Sequence, residues 1–167
     1  LDITRPNQVW SADITYIPMP TGFCYLVAIM DWHSRRVLGW AVSTTMDTAF
    51  CLRAFRAAVK TAGCCPQILN TDQGSQFTSD AWTQEVQGRG ISISMDGKGR
   101  WVDNVVMERL WWSLKYEDIY LRSYASPREV EQGVSEWFVK YNTRRPHSSL
   151  GDSTPDEVFG ARIGQVA

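Results

Sequence analysis

Three carboxylates in this chain have the types and spacing to do chemistry at phosphorus: Asp13, Asp72 and Glu108. Asp13 sits inside an alternating stretch, residues 9–17, where Trp10, Ala12, Ile14 and Tyr16 share one face and Ser11, Asp13 and Thr15 the other. Aspartate is disfavoured in strands; a polar residue on a half-exposed strand is the plain alternative. Asp72 ends a short apolar strand and precedes Gln73-Gly74-Ser75-Gln76-Phe77. Ligands gather at such strand ends in α/β sheets, although an Asx turn would also place an aspartate there. Glu108 belongs to a helix. At about 100° per residue, Asn104, Glu108, Trp112 and Lys115 cluster on one face. Val106, Met107, Leu110 and Leu114 gather on the roughly opposite face and would pack on the sheet. An amide, a ring and a cation beside the glutamate suit a phosphate backbone; surface salt-bridging is the alternative. Two strand carboxylates plus one from a helix can hold two divalent cations about 3.5–4 Å apart. Mg²⁺ suits such a set because it prefers carboxylate, water and phosphate oxygens. Without metal the three charges would repel, raising the pKa of at least one.

The elements that must position these groups can be read along the chain. Strands are predicted over residues 9–17, 23–30 and 36–42, joined by short links that suit antiparallel hairpins. A helix over 48–61 stops at Gly63, and a buried strand covers 67–71. Ser79 and Asp80 cap a helix through 87, and 91–94 form a short strand. Gly97-Lys98-Gly99-Arg100 is a loop. Asp103 or Asn104 then caps the glutamate helix, which runs to about 116. Ser126-Pro127-Arg128-Glu129 opens another helix to about 141, with Ser as cap and Pro at its first position. The tail, residues 142–150, reads as extended and basic. This order suits an α/β fold, a mixed five-stranded sheet with helices on its two faces.

The 167 residues suit one domain with a sizeable core. Hydrophobic residues are 44% and charged residues 21%, a balance that excludes intrinsic disorder. Lys plus Arg is 17 and Asp plus Glu 18, giving a formal charge of -1. A nucleic-acid partner usually announces itself by a basic excess, but two bound divalent ions would reverse the sign of this balance. The four cysteines form no CxxC pair and have no histidine at zinc-ligand spacing, so reduced thiols are expected. No apolar run approaches the roughly 20 residues of a spanning helix, and no signal peptide is recognisable. The expectation is an intracellular, cytoplasmic protein without a membrane partner. Most of the eight tryptophans should pack the core, leaving one or two to stack on bases.

Asp72 and Glu108 have 35 residues between them, with Asp13 upstream on a first strand. This pattern resembles the DD35E signature of the retroviral-integrase superfamily, whose cores have a ribonuclease-H-like fold. Residues 9–17 (VWSADITYI), 31–40 (DWHSRRVLGW) and 71–77 (TDQGSQF) resemble motifs of bacterial insertion-sequence transposases. So do the glutamate helix DNVVMERLWWSLK, the YNTRRPH motif at 141–147 and the TPDEVF at 154–159. The resemblance covers about residues 5–160. It implies a DDE transposase core spanning 1–167, with the core proper over about 5–120 and a helical, basic extension over about 121–167. The family's N-terminal helix-turn-helix region is absent from this sequence. By resemblance, Asp13, Asp72 and Glu108 are catalytic ligands of two Mg²⁺ or Mn²⁺ ions, and Lys115 contacts transposon-end DNA. The implied activity is DNA cleavage and strand transfer, with transposon ends and target DNA as partners, a homo-oligomer on DNA, and no small-molecule substrate. A ribonuclease-H-like nuclease, or an inactive DNA-binding or assembly fragment, is the alternative.

Several neighbours of the triad carry two open readings each. Thr15 lies on the face of Asp13 and either lines the site or suits the strand. Lys98 and Arg100 close over DNA or are a solvated connector. Arg144, Arg145 and His147 touch phosphate or are surface charge. Asp31, the rival carboxylate, is explained by a local turn and an ion pair with Ser34 and Arg35. Residues 97–145 hold nine Lys or Arg and seven Asp or Glu, so the distribution of charge matters more than its sum.

Overall fold

Three antiparallel strands open the chain, as short links and period-two alternation require. The computed structural model describes residues 2–95 and 102–163, with side chains over 2–95 and 105–160. Strand β1 (Val9–Pro18) pairs with β2 (Phe23–Asp31) from Trp10 opposite Asp31 to Pro18 opposite Phe23. Gly22 closes their link at φ +81, a left-handed conformation that glycine adopts without steric cost. Strand β3 (Val37–Ser43) then pairs with β2. Helix α1 (Thr48–Ala62) starts where the Asp47 carboxylate accepts the Phe50 N–H at 3.0 Å. It ends at Gly63, whose N–H donates to Val59 O. After α1 the chain crosses to the other side of β1, so β4 (Ile68–Thr71) runs parallel to it, and β5 (Ser92–Met95) parallel to β4. Between them lie α2 (Ser75–Thr78) and α3 (Asp80–Gly88). The sheet order is β3-β2-β1-β4-β5, which puts the strand of Asp13 at the centre.

The alternation of β1 sorts two cores. Trp10 and Ala12, with Val27 and Ile29 of β2, pack against Phe50, Phe55 and Ala58 of α1 and against Trp82 of α3. On the reverse face Ile17, Leu26, Ala28 and Met30 meet Met107, Leu110, Trp111 and Leu114 of α4 (Val102–Leu114) and Val130, Val134 and Phe138 of α6 (Pro127–Arg144). The face of Ser11, Asp13 and Thr15 is therefore covered by helices: Ser11 and Thr15 are buried and Asp13 half-buried.

The strands and the first helices agree with the sequence reading to within two residues. Three other stretches depart from it. The glutamate helix continues past 116 through a π-helical turn (Lys115–Ile119) into α5 (Tyr120–Arg122). The wider turn brings Asp118 and Ile119 inward, where Asp118 accepts from Tyr124 Oη and pairs with Arg122 at 2.9 Å. The tail is not extended throughout. Its first residues complete α6, Ser148–Leu150 form a 3-10 turn, His147 bridges Ser153, and α7 (Pro155–Ile163) follows. The reason is long-range. Asn142 Oδ1 accepts the Val37 N–H at 2.9 Å while Nδ2 donates to Val37 O at 3.0 Å, closing the outer edge of β3. The third departure is α2, one helical turn where a simple turn was expected.

Candidate active site

Strand register relates the two aspartates. β1 and β4 are parallel, with Ser11 opposite Asn70 as the last paired position; Asp13 lies two residues past it on β1, and Asp72 two residues past it, just beyond the end of β4. Asp72 forms the expected Asx turn, Oδ1 accepting the Gly74 N–H at 2.8 Å. Gly74 has reason to be glycine, because a Cβ there would sit 2.9 Å from that same oxygen.

Asp13 is held from above by Trp111, whose indole Nε1 donates to Oδ2 at 2.9 Å. The sequence reading gave Trp111 no role, although 107, 111 and 114 fall on one helical stripe. Trp111 is buried beside Met107, Leu110 and Leu114, and its bond ties α4 to β1. Glu108, one turn earlier, is exposed, and Lys115, one turn later, is half-buried. Burial pushes the Lys115 ammonium below its ordinary pKa, and the Asp13 charge opposes that shift. The predicted outward face of α4 is thus split. Glu108 and Trp112 are exposed, while Lys115 is half-buried.

All three carboxylates offer hard oxygen donors of the kind Mg²⁺ prefers, so by donor chemistry the residues fit a divalent cation. Among the described residues no group of three His, Cys, Asp or Glu side chains is already gathered as a metal cluster. Replacing Trp111 with Phe keeps the ring and deletes the N–H. We expect a stability loss of about 1–3 kcal/mol, the cost of leaving a partly buried carboxylate short of a donor. Urea unfolding checks it: a lower midpoint at unchanged slope is the expected result, and an unmoved midpoint would show the bond to be energetically idle.

The outlying candidates fare differently. Thr15 is 6% exposed, opposite Leu26, so it serves the strand rather than a DNA surface. Lys98 and Arg100 lie outside the described residues, as does the side chain of Asn104. Arg144 is exposed, whereas Arg145 pairs with Glu117 and reaches Ser113 Oγ at 3.4 Å. Asp31 is wholly buried: Oδ2 accepts from Ser34 N and Oγ, and Oδ1 from Asn7 N. The turn explanation of Asp31 holds, but not its ion pair, since the Arg35 guanidinium donates to Trp32 O instead. Trp112, 62% exposed, opens a ladder of rings with Tyr116 and Tyr120, centroids 4.9 and 5.3 Å apart.

His147 supplies a pH dependence. Burial, then the Arg145 and Arg35 charges, hold its imidazole below the ordinary 6.5. Unfolding therefore takes up a proton below that value, and stability falls as pH drops from 6.5 toward the folded-state pKa. Asp31, raised by burial above 3.8, works the other way at lower pH, where the folded state holds the extra proton. The urea midpoint should fall between about pH 7.5 and about 5.5. His147→Gln should flatten that fall, and an equally steep fall in the variant would exclude His147 as its source.

A five-stranded mixed sheet in the order β3-β2-β1-β4-β5, flanked by helices, is the architecture of an integrase-type core. Integrase core domain models match residues 3–100 and 89–155, and the chain belongs to this family. It is 34% identical over 162 residues to the transposase for insertion sequence element IS629 of Shigella sonnei, covering 97% of this chain and 55% of that protein. It is 35% identical over 156 residues to the IS904 transposase of Lactococcus lactis, covering 92% and 62%. The resemblance to insertion-sequence transposases thus holds, and the chain spans between half and two-thirds of the length of these relatives. Among solved structures, the HTLV-2 integrase catalytic core domain in complex with magnesium superposes with a TM-score of 0.74 at 18% identity, over 93% of this chain and 97% of that one. The catalytic core domain of BIV integrase gives 0.74 at 17%, over 95% and 97%. The fold is ribonuclease-H-like. No helix among the described residues is long and apolar enough to cross a membrane.

Proposed function

We propose that this chain is the catalytic core of an insertion-sequence transposase, which cuts a DNA strand at the element's end and joins the freed 3′-hydroxyl to a target phosphodiester. The observation that supports the reading is that Asp13 and Asp72 each lie two residues past the last paired position of parallel strands β1 and β4, with Trp111 of the helix that bears Glu108 bonded to Asp13. Asp13, Asp72 and Glu108 would hold two Mg²⁺ or Mn²⁺ ions. Bound there, divalent cations activate the attacking water or hydroxyl and stabilise the leaving oxygen. Trp111 orients Asp13 through its N–H, and the Gly74 N–H holds one oxygen of Asp72. Lys115 adds a positive charge for a phosphate. Transfer between phosphodiesters needs neither a nucleophilic side chain nor a small-molecule substrate. The partners would be transposon-end and target DNA, with a second copy of the chain bringing two ends together.

The test is a nicking and strand-transfer assay on end-containing duplex with Mg²⁺ or Mn²⁺. Cutting followed by joining, both lost in Asp72→Asn, is the expected result. Cutting without joining would make the chain a nuclease of the same fold. Neither activity, with DNA binding retained, would make it a binding or assembly module.

A further inference from the structure

Helix α4 turns one side to Asp13 and another flank to a pocket of about 330 Å³. At about 100° per residue, Arg109, Leu110 and Ser113 lie on that flank, more than a quarter turn around the helix from Glu108. The facing wall comes from distant parts of the chain. Arg35 belongs to the turn after β2, Arg145 to the end of α6, and His147 and Ser149 to the segment beyond it. Three guanidinium groups and an imidazole therefore share one cavity.

Little inside the protein balances them. Glu117 pairs with Arg145, and Asp31, behind Arg35, is already engaged by Ser34 and Asn7. The Arg35 guanidinium donates to a neutral carbonyl, that of Trp32, and Arg109 has no ion pair among the described residues. The positive charges act against one another. Burial is the largest cause disfavouring the charged forms of Arg35 and His147; at Arg35 the Arg109 charge adds to it while Tyr141 and Asp31 oppose it, and at His147 the Arg145 and Arg35 charges add to it. His147 Nε2 is buried without a hydrogen-bond partner. Arg35 also has φ +64, a left-handed backbone where glycine or asparagine would be the easier residue. Like charges gathered in a partly desolvated cavity are unfavourable until an anion joins them.

We propose that this pocket is an oxyanion site that takes a backbone phosphate of the DNA substrate, held by Arg35, Arg109 and His147 with the hydroxyls of Ser113 and Ser149 beside them. The proposal rests on the DNA reading above and adds a contact on a separate flank of α4. The exposed Trp112 lies between Glu108 and the pocket and also lines it, so a strand running from the carboxylates to the pocket passes over its indole, where a base can stack. Free inorganic phosphate shares the recognising chemistry.

Isotope-labelled protein of the full 167 residues, titrated with two probes, provides the test. Inorganic phosphate should shift the Arg35 and Arg109 Nε–H and His147 ring resonances saturably, in the native sequence and in Asp72→Asn. Mixed-sequence duplex DNA should shift the same resonances. In Arg109→Gln the phosphate shifts should vanish, and the slope of log Kd against log salt should fall by about one, alike on unrelated duplexes. Arg109 is exposed, so this variant should fold, which an otherwise unchanged spectrum confirms. No shift with either probe overturns the site. Shifts with phosphate but not with duplex overturn its assignment to DNA. Nicking that survives Asp72→Asn while both probes still bind defeats the catalytic reading and leaves the pocket standing; the converse pattern defeats the pocket alone.

Discussion

Asp72→Asn is expected to lower divalent-cation-dependent nicking by at least about 10³-fold while leaving the fold intact. Asparagine keeps the side-chain oxygen that accepts the Gly74 N–H, so the turn after β4 survives the substitution. What disappears is one negative charge just beyond the end of β4. A cation at such a site contributes several kcal/mol of charge stabilisation in the transition state, and about 4 kcal/mol corresponds to 10³ in rate. Initial rates with Mg²⁺ and with Mn²⁺, beside a thermal melt of each protein, separate loss of chemistry from loss of structure. An unchanged melt with a collapsed rate is the expected pair. A rate within tenfold of the native one would remove Asp72 from the catalytic set.

Gly39→Ala is expected to cost about 3 kcal/mol or more, enough to unfold a marginally stable domain. Gly39 lies on β3 where α1 crosses closest. A Cβ there would sit 2.2 Å from Ala54 O and 2.6 Å from Ala58 N, both backbone atoms of α1. No rotamer change relieves such a clash; α1 would have to lift from the sheet, opening the packing of Phe50, Phe55 and Ala58 on Trp10 and Val27. Gly88 makes a control. It ends α3 with nothing within 4 Å of its Cβ position, so Gly88→Ala should stay within about 0.5 kcal/mol of the native protein. Equal midpoints for the two variants in urea would show that the close approach of α1 to β3 is not needed for stability.

What could be read directly from residues shared one property: the signal was local. Alternation over residues 9–17 marked β1 and its two faces; Gly63 marked a helix end and Ser79 a helix start; the Asp72 turn followed from an aspartate close before a glycine. Asp13, Asp72 and Glu108 stood out by residue type and spacing. Trp111 did not, because an indole on a helix reads as core until the strand beneath it is known to present a carboxylate. The tail at 142–150 read as extended because Asn142 finds its partner at Val37, 105 positions away.

The formal balance of -1 is a property of the chain alone, and it concealed where the charges go. Composition, periodicity and spacing by themselves determined the strand-rich first half and the helical second half and singled out three candidate carboxylates, because each of these depends on neighbours within a few turns or one strand. Only the tertiary structure decided that β4 runs parallel to β1, that Trp111 of α4 bonds Asp13, and that Arg35, Arg109, Arg145 and His147 line one cavity. Those arrangements depend on the parallel crossover between β1 and β4 and on the packing of α4 and α6 over the sheet. Burial and register across such distances are set by the whole core, and no local pattern encodes them.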